Sequence, residues 1–444
     1  MALAATAPTV NASRITAASV SAAAVTAPSV ATASNPAQAA EFAAPRQAMP
    51  PGLVILFLAL LLGIQPITTD LYLPALPALT EGFGAAMLQA QLTLTALLLA
   101  FGVSQLLWGP LSDRFGRRPI LLAGLAAYVA AAIASAMAPS MAALIACRAV
   151  QGAAMGAAVM CARALVRDLY TPLQGARVMS KGLTGLGVIA CLSAPLGGLL
   201  SDVSGWRMAL MAPAVFGVVC LCLVAMRFKE TLGQRNPHAL QPGVLLRTWW
   251  TVARNPTFLA YSALATASYG GLFTFLAASS FVFIQVLGLS KTQYGLLMFS
   301  MSLMYIAGTM LCRVLLTRYG LRRTVARAAV LTISGGSLMG GLAMAGIHNT
   351  WAIMLPVYLF MLGHGVHQSC SQSGAVGPFP RSAGAASALN GFITMVAAFA
   401  MGAWLGTHMD GTVFPLVYGM WFWSVLITLS AWALVQKYGE PERH

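Results

Sequence analysis

Residues 109–119 read GPLSDRFGRRP, and their neighbours make them unusual. The stretches 87–108 and 120–147 on either side contain no Asp, Glu, Lys or Arg. Each is long enough to cross a bilayer, which takes about 20 apolar residues in a helix. The eleven residues therefore read as a tight, basic turn joining two membrane spans. Gly116 supplies the turn, and Gly109 with Pro110 lets two helices approach closely. Asp113 falls at a helix C-terminus, where the dipole disfavours a negative charge unless cations accompany it. Arg114, Arg117 and Arg118 are placed to supply them.

Composition extends that reading to the whole chain. Its 444 residues are 59% hydrophobic and 8% charged, too little charge to wet the surface of a soluble multi-domain protein. Hydropathy predicts an all-α polytopic membrane protein with twelve spans. They lie near 52–74, 87–110, 119–138, 141–164, 179–201, 206–227, 257–285, 291–316, 323–346, 350–372, 384–407 and 412–435. The longest connection, RFKETLGQRNPHALQPGVLLRTWWTVARNP, separates six spans from six. The predicted organisation is a disordered tail over 1–48, a six-helix bundle over 49–228, a cytoplasmic linker over 229–256, a second bundle over 257–436 and a cytoplasmic tail over 437–444. The tail has neither a signal-peptide layout nor the arginines of a transit peptide, and Met49 is an expected alternative start.

The formal charge of +15 raises the question of nucleic acid. Its placement answers it. With the N-terminus inside, every basic residue except Arg148, Arg207 and Lys291 falls in a cytoplasmic segment or its flank, as the positive-inside rule requires. Both termini are then expected to be cytoplasmic, with the charge anchoring topology and available to anionic lipid. The seven cysteines lie inside apolar segments and read as small buried hydrophobes.

The turn has an echo. LLTRYGLRR, 315–323, follows the eighth span as the first string follows the second, again with an aromatic-Gly pair between basic residues but without the aspartate. Parallel halves suggest an internal repeat with a pathway between them.

Among the ten acidic residues only Asp70, in ITTDLYLPALP (67–77), lies well inside a span. Counting 1.5 Å per residue, it falls roughly 6–7 Å beyond the middle, toward the outside. A carboxylate facing lipid costs a few kcal/mol, so Asp70 is expected to face the interior or a wet cavity. Low dielectric disfavours its charged form, the property that proton coupling needs. A plain alternative is a helix-end acid wetted from outside. Arg148, also within a span, is its cationic counterpart: either it meets Asp70 across the first bundle and tunes it, or it donates hydrogen bonds to helix carbonyls.

The string GPLSDRFGRRP matches the loop motif of the major facilitator superfamily. CRAVQGAAMGAAVMCARALVRDLY (147–170) resembles that family's fourth-helix motif, and ACLSAPLGG (190–198) its antiporter motif, with Ala194 where glycine is usual. With TDLYLPALPAL and AGAASALNGF (383–392), the chain resembles Bcr/CflA-type drug:proton antiporters over roughly residues 50–435. The resemblance implies a major facilitator fold and export of small amphiphilic drugs of chloramphenicol or bicyclomycin type across the bacterial inner membrane, driven by protons. It needs no cofactor and no metal, and a monomer suffices. It also implies that Asp70 and Arg148 serve proton coupling. The expected conformational gate comprises Gly109, Asp113, Arg114, Gly116, Arg117, Arg118, Arg163, Arg167, Pro195 and Gly198, with Arg163 and Arg167 as partners for Asp113. Ser280 and Gln368 stand where the resemblance implies proline.

Candidate cavity residues are Tyr72, Gln91, Gln105, Met155, Tyr269, Tyr305, His364 and Asn390, since a Met and aromatic surface adapts to mixed substrates. Gln91 and Gln105 are fourteen apart and share one helix face. His364 and His367 could relay protons or contact drug, or be hydrogen-bonded structure. Phosphate-binding and catalytic motifs are missing, which argues against an enzyme or an ATP-driven pump. The rival is a proton-coupled exporter of a specific metabolite, whose site would carry several convergent charges. A non-transporting receptor or scaffold is the remote reading.

Overall fold

The computed structural model describes residues 49–439, except 171, 236, 238, 380 and 381 and the side chains of 172, 173, 176 and 177. The tail assigned to 1–48 lies outside these residues. The chain runs as α1 (Pro51–Thr69), a 3₁₀ turn at Leu73–Ala75 and α2 (Leu76–Gly82), which together form the first span. Then follow α3 (Met87–Phe115), α4 (Arg117–Ala136), α5 (Met141–Leu169), α6 (Pro172–Ser204) and α7 (Trp206–Arg227). A linker helix, α8 (Pro242–Ala253), leads to α9 (Pro256–Ser280), which ends in a π-turn at Phe281–Val286. The second half continues with α10 (Lys291–Met344), α11 (Thr350–Val376), α12 (Ala383–His408) and α13 (Phe414–Leu429). A π-turn at Ser430–Leu434 and α14 (Val435–Tyr438) close it.

Ten of the described helices are long and apolar enough to cross a membrane. One of them, α10, is two spans merged across Gly320, whose backbone leaves the helix at φ 71° and ψ 176°. The 27-residue α11 is as long as its neighbours but diluted by two histidines and a polar end. With these two the spans number twelve, as predicted. Gly116 turns in the same way, at φ 105° and ψ 155°. Both values lie where only glycine is comfortable, so the two echoing strings are the same backbone device in each half.

Local chemistry sets the helix ends. Ser140 accepts from the amide of Ala143 at 3.2 Å, Asn255 from Phe258 at 3.0 Å and Asn349 from Ala352 at 2.8 Å. Ser290 and Gln293 close a capping box at the head of α10. Small residues then bring the helices together. A Cβ on Gly152 of α5 would sit 2.8 Å from the carbonyl carbon of Leu97 on α3. Backbone meets backbone there and not at Gly109, where a Cβ would find its nearest atom, the Met160 methyl, 3.6 Å away. Gly152→Ala must push backbone from backbone, an overpacking cost of about 1–3 kcal/mol. The expected result is a lower melting temperature and lower folded yield in detergent; wild-type melting would show that α3 yields freely.

Candidate functional site

The first span breaks in the middle. Asp70 N–H still reaches the Pro66 carbonyl at 2.8 Å, but Pro74 and Pro77 have no N–H to continue the ladder. The chain leaves the α-helix at Asp70–Tyr72, and the last carbonyls of α1 are the open acceptors of a helix end. Arg148 takes one of them: its Nη2 donates to the Thr68 carbonyl at 2.9 Å, while Nη1 donates to Gln151 Oε1 at 3.0 Å. Its guanidinium carbon lies 4.3 Å from the centroid of the Tyr72 ring. A cation at a helix C-terminus also complements the dipole. Tyr72 in turn bonds Thr93, and Tyr128 bonds the Thr68 hydroxyl at 2.6 Å. All these groups are buried inside the first half.

Asp70 does not join them. Thr68 and Tyr72 are four apart and share a face, whereas Asp70 is about 200° round the helix from Thr68. Among the described residues no ion pair joins Asp70 to Arg148. The expected meeting of the two is thus corrected, and Arg148 takes the other course open to it, donation to a helix carbonyl.

Asp70 instead lines a cavity of about 210 Å³ between the halves. From the first half come Gln65, Thr69 and Asp70 of the broken span, Leu94 and Leu98 of α3, and Leu186, Gly187, Ala190 and Cys191 of α6. From the second come Tyr269 and Phe273 of α9, Met301 and Tyr305 of α10, and Met361, His364 and Gln368 of α11. Among the described residues that line it, Asp70 is the one carboxylate, and none is Lys or Arg. The Thr69 hydroxyl lies 2.7 Å from Asp70 Oδ1 and 3.0 Å from the Gln65 carbonyl, and its single proton can serve one at a time. His364 bonds Ser268 through Nδ1 at 2.8 Å and stacks on Phe360.

Of the eight expected cavity residues, Tyr269, Tyr305 and His364 line it. Tyr72 and Met155 are buried within the first half, and His367 is buried in the second. Gln91 and Gln105 do share a face, but it packs on the second half: Gln91 donates to the Ala277 carbonyl at 2.8 Å, and Gln105 lies against Gly391. Asn390 is tied to Gln372 at 3.3 Å. Sequence reading passed over Gln65 and Thr69, which stand one turn before Asp70 and beside it, and treated Gln368 only as a departure. The seven cysteines are free, and Cys222 is exposed where burial was expected.

At the Gly116 end, Arg117 is the buried centre of a charged cluster. It pairs with Asp113 at 2.7 Å and with Asp168 of α5 at 2.9 Å. Gly116 has no side chain with which to cap α4, and Glu230, beyond α7, does so instead. Its carboxylate accepts from the amides of Arg117 and Arg118 at 3.0 and 3.1 Å. A side chain at Gly116 would meet that carboxylate at 2.6 Å. Asp113 thus pairs chiefly within its own motif; Arg167 is 3.9 Å away, and Arg163 turns to Ser387 of α12 at 3.1 Å. Arg118 donates to the Ala225 carbonyl at 3.0 Å, and Arg114 lies over the neighbouring Phe115 ring. Asp168 and Glu230 are members the sequence did not single out, because they meet the motif only in three dimensions.

At the opposite end α6 meets the head of α10. A Cβ on Gly198 would lie 2.5 Å from the Lys291 carbonyl oxygen, and one on Gly295 2.8 Å from Pro195 Cα. Asp202 accepts from the Thr292 amide at 2.9 Å and hydroxyl at 2.6 Å. Gln285 donates to Glu81 at 3.1 Å. The halves therefore touch at both ends of the cavity.

Partial burial alone would raise the Glu230 carboxyl, but the amides of Leu232, Arg118, Arg117 and Thr231 together hold it below the usual carboxylate range. A depressed value means stabilisation that is present above the ordinary carboxylate range of about 4.3 and is lost as pH falls through the folded value. In Glu230→Gln at neutral pH the amides of Arg117 and Arg118 are expected to lose protection from hydrogen exchange, and in the wild type the same protection, taken relative to the intrinsic rate at each pH, is lost as pH falls through the depressed Glu230 value. Equal exchange in wild type and variant at pH 7 would remove Glu230 from the cap.

Residues 56–403 match the Major Facilitator Superfamily. The chain belongs to the major facilitator superfamily. This transporter is 27% identical over 384 residues to a bicyclomycin resistance protein homolog of Haemophilus influenzae, covering 86% of this chain and 96% of that one. It is 28% identical over 338 residues to multidrug resistance protein D of Escherichia coli, covering 76% and 84%. With a chloramphenicol resistance protein of Pseudomonas aeruginosa it shares 27% over 328 residues, covering 72% and 75%. Among solved structures it is similar in fold to the xylose transporter XylE of E. coli, with a TM-score of 0.69 at 13% identity over 88% of this chain and 100% of that one. It is a multi-pass membrane transporter.

Proposed function

We propose that this transporter exports small amphiphilic drugs of chloramphenicol or bicyclomycin type in exchange for protons, by alternating access. The observation that carries the reading is Asp70, a lone carboxylate in the cavity between the halves of a chain whose relatives are drug-resistance proteins. A single acid without a facing cation can be neutralised by a proton or matched by the polar end of a drug, so the two compete. Thr69 registers the difference: its hydroxyl donates to ionised Asp70 and turns to the Gln65 carbonyl once Asp70 carries its own proton.

The cavity of about 210 Å³ is below the roughly 300–1,000 Å³ of drug pockets. Loading therefore requires the halves to move. In this reading the Arg117 cluster, with Asp113, Arg163 and Arg167, holds the cytoplasmic side. Pro195 and Gly198 seal the opposite side against α10. On the distribution of Lys and Arg both termini are cytoplasmic, and the bacterial relatives favour the bacterial inner membrane as its location. The test is reconstitution in vesicles holding a pH gradient. Adding chloramphenicol or bicyclomycin is expected to collapse the gradient in proportion to uptake. Drug flux indifferent to the gradient would refute proton exchange.

A further inference from the structure

A second cavity, about 350 Å³, opens on the flank of the second half between α9, α12 and α13. It shares no lining residue with the cavity at Asp70. Its wall includes Leu259, Ser262, Ile393, Trp423 and Ser430. Leu259 is 49% exposed, so the rim faces the lipid side of the bundle. Ser262 lies six residues into α9, roughly 9 Å from the helix start, which places the floor near the edge of the hydrocarbon core, since this span is longer than a core of about 30 Å.

Two donors in this wall are unsatisfied. Ser262, 2% exposed, and Trp423, 8% exposed, have no hydrogen-bond partner for Oγ and Nε1. The protein itself buries both groups, and a donor left unpaired away from water is costly. The Trp423 indole cannot swing away easily, because it lies on Gly270, where a side chain would be 2.6 Å from Cε2. The π-turn within the last span begins at Ser430 in the same wall, and such turns recur at functional positions.

We propose that this flank pocket binds an amphiphile dissolved in the membrane, with an apolar body and a neutral acceptor such as an ester carbonyl. The carbonyl accepts from Trp423 Nε1–H and the Ser262 hydroxyl, and the body fills the space against Leu259 and Ile393. Among the described residues lining the pocket none is Lys, Arg or His, so an anionic headgroup is not the ligand. An ester carbonyl is shared by membrane lipids and by neutral lipophilic solutes. The site does not depend on the proposed drug–proton exchange.

The full-length transporter in nanodiscs of phosphatidylethanolamine and phosphatidylglycerol tests this with two photoreactive probes. One is a fatty-acid methyl ester with a diazirine on its chain; the other is a phosphatidylethanolamine with the same chain. Crosslinks mapped by mass spectrometry are expected to concentrate on residues 259–267 and 423–430. Trp423→Phe, which removes the N–H and keeps an aromatic ring, is expected to cut that labelling about fivefold, one hydrogen bond's worth. Ala263→Trp, which fills the pocket, is expected to abolish it. Labelling by both probes makes lipid the occupant, and labelling by the methyl ester alone makes it a free solute; either supports the site. Even labelling of all lipid-facing helices, or labelling unchanged in Trp423→Phe, overturns it. Should Ala263→Trp fail to fold, Trp423→Phe and Ser262→Ala carry the test.

Discussion

Asp70→Asn is expected to abolish drug-evoked proton movement, by a hundredfold or more, while the protein inserts and folds as before. The argument is one of numbers. Asp70 is the one carboxylate lining the cavity, and among the lining side chains no second acid stands ready to replace it. Asparagine keeps the size and the acceptor that the Thr69 hydroxyl meets at 2.7 Å, so packing is preserved. What disappears is the ability to exchange a charge for a proton. Drug binding should survive in weakened form, and passive drug exchange across vesicles should persist. Both are measured in the same preparation, by a pH-sensitive dye and by labelled drug. Unaltered proton release in the variant would remove Asp70 from the coupling step.

Arg148→Met is expected to cut transport at least tenfold with only a modest loss of stability. Burying a cation without an acidic partner costs several kcal/mol even after relaxation. Against this stand two charge-assisted hydrogen bonds, to Thr68 and Gln151, of about 1.5–3 kcal/mol each. The Tyr72 ring adds about 2 kcal/mol for a desolvated cation–π contact. The terms nearly cancel, so Arg148 contributes little net stability. Its effect is positional: it holds the carbonyl end of α1, one turn of backbone that also carries Asp70. Methionine fills the space and leaves the Thr68 carbonyl unpaired, letting the break drift. Arg148→Lys, which keeps the charge but not the fork, is expected to melt like wild type and to restore only part of the flux. Full activity in Arg148→Met, with melting unchanged, would show that the broken span needs no cap.

Much of the architecture was legible before any coordinates. Nearly all of the twelve spans follow from apolar length, because a bilayer demands about 20 residues whatever the neighbours are, and α11 alone is diluted by polar side chains. The echo of RFGRR in RYGLRR foretold two glycine turns of the same kind, at Gly116 and Gly320. Asp70 stood out because a carboxylate in a greasy helix needs a reason. Partners were harder to read. Helical period tells which residues share a face, and it correctly set Gln91 with Gln105. It does not tell what that face meets, and theirs met the second half rather than the cavity.

Asp113 and Arg163 show the same limit. Their motifs announced charge at one membrane surface, yet Arg163 reached Ser387, and Arg117 gathered Asp113 and Asp168. Glu230 is more than a hundred residues from the amides that it caps, and nothing in its own neighbourhood marks it. Periodicity and hydropathy are local sums along the chain, and they determined the spans, the turns and the singular position of Asp70. Only the tertiary structure decided that Arg148 caps a broken helix, that Asp70 looks the other way, and which side chains close around it. Those choices depend on helix rotation and on close backbone approaches such as Gly152 on Leu97, which arise between segments far apart in sequence.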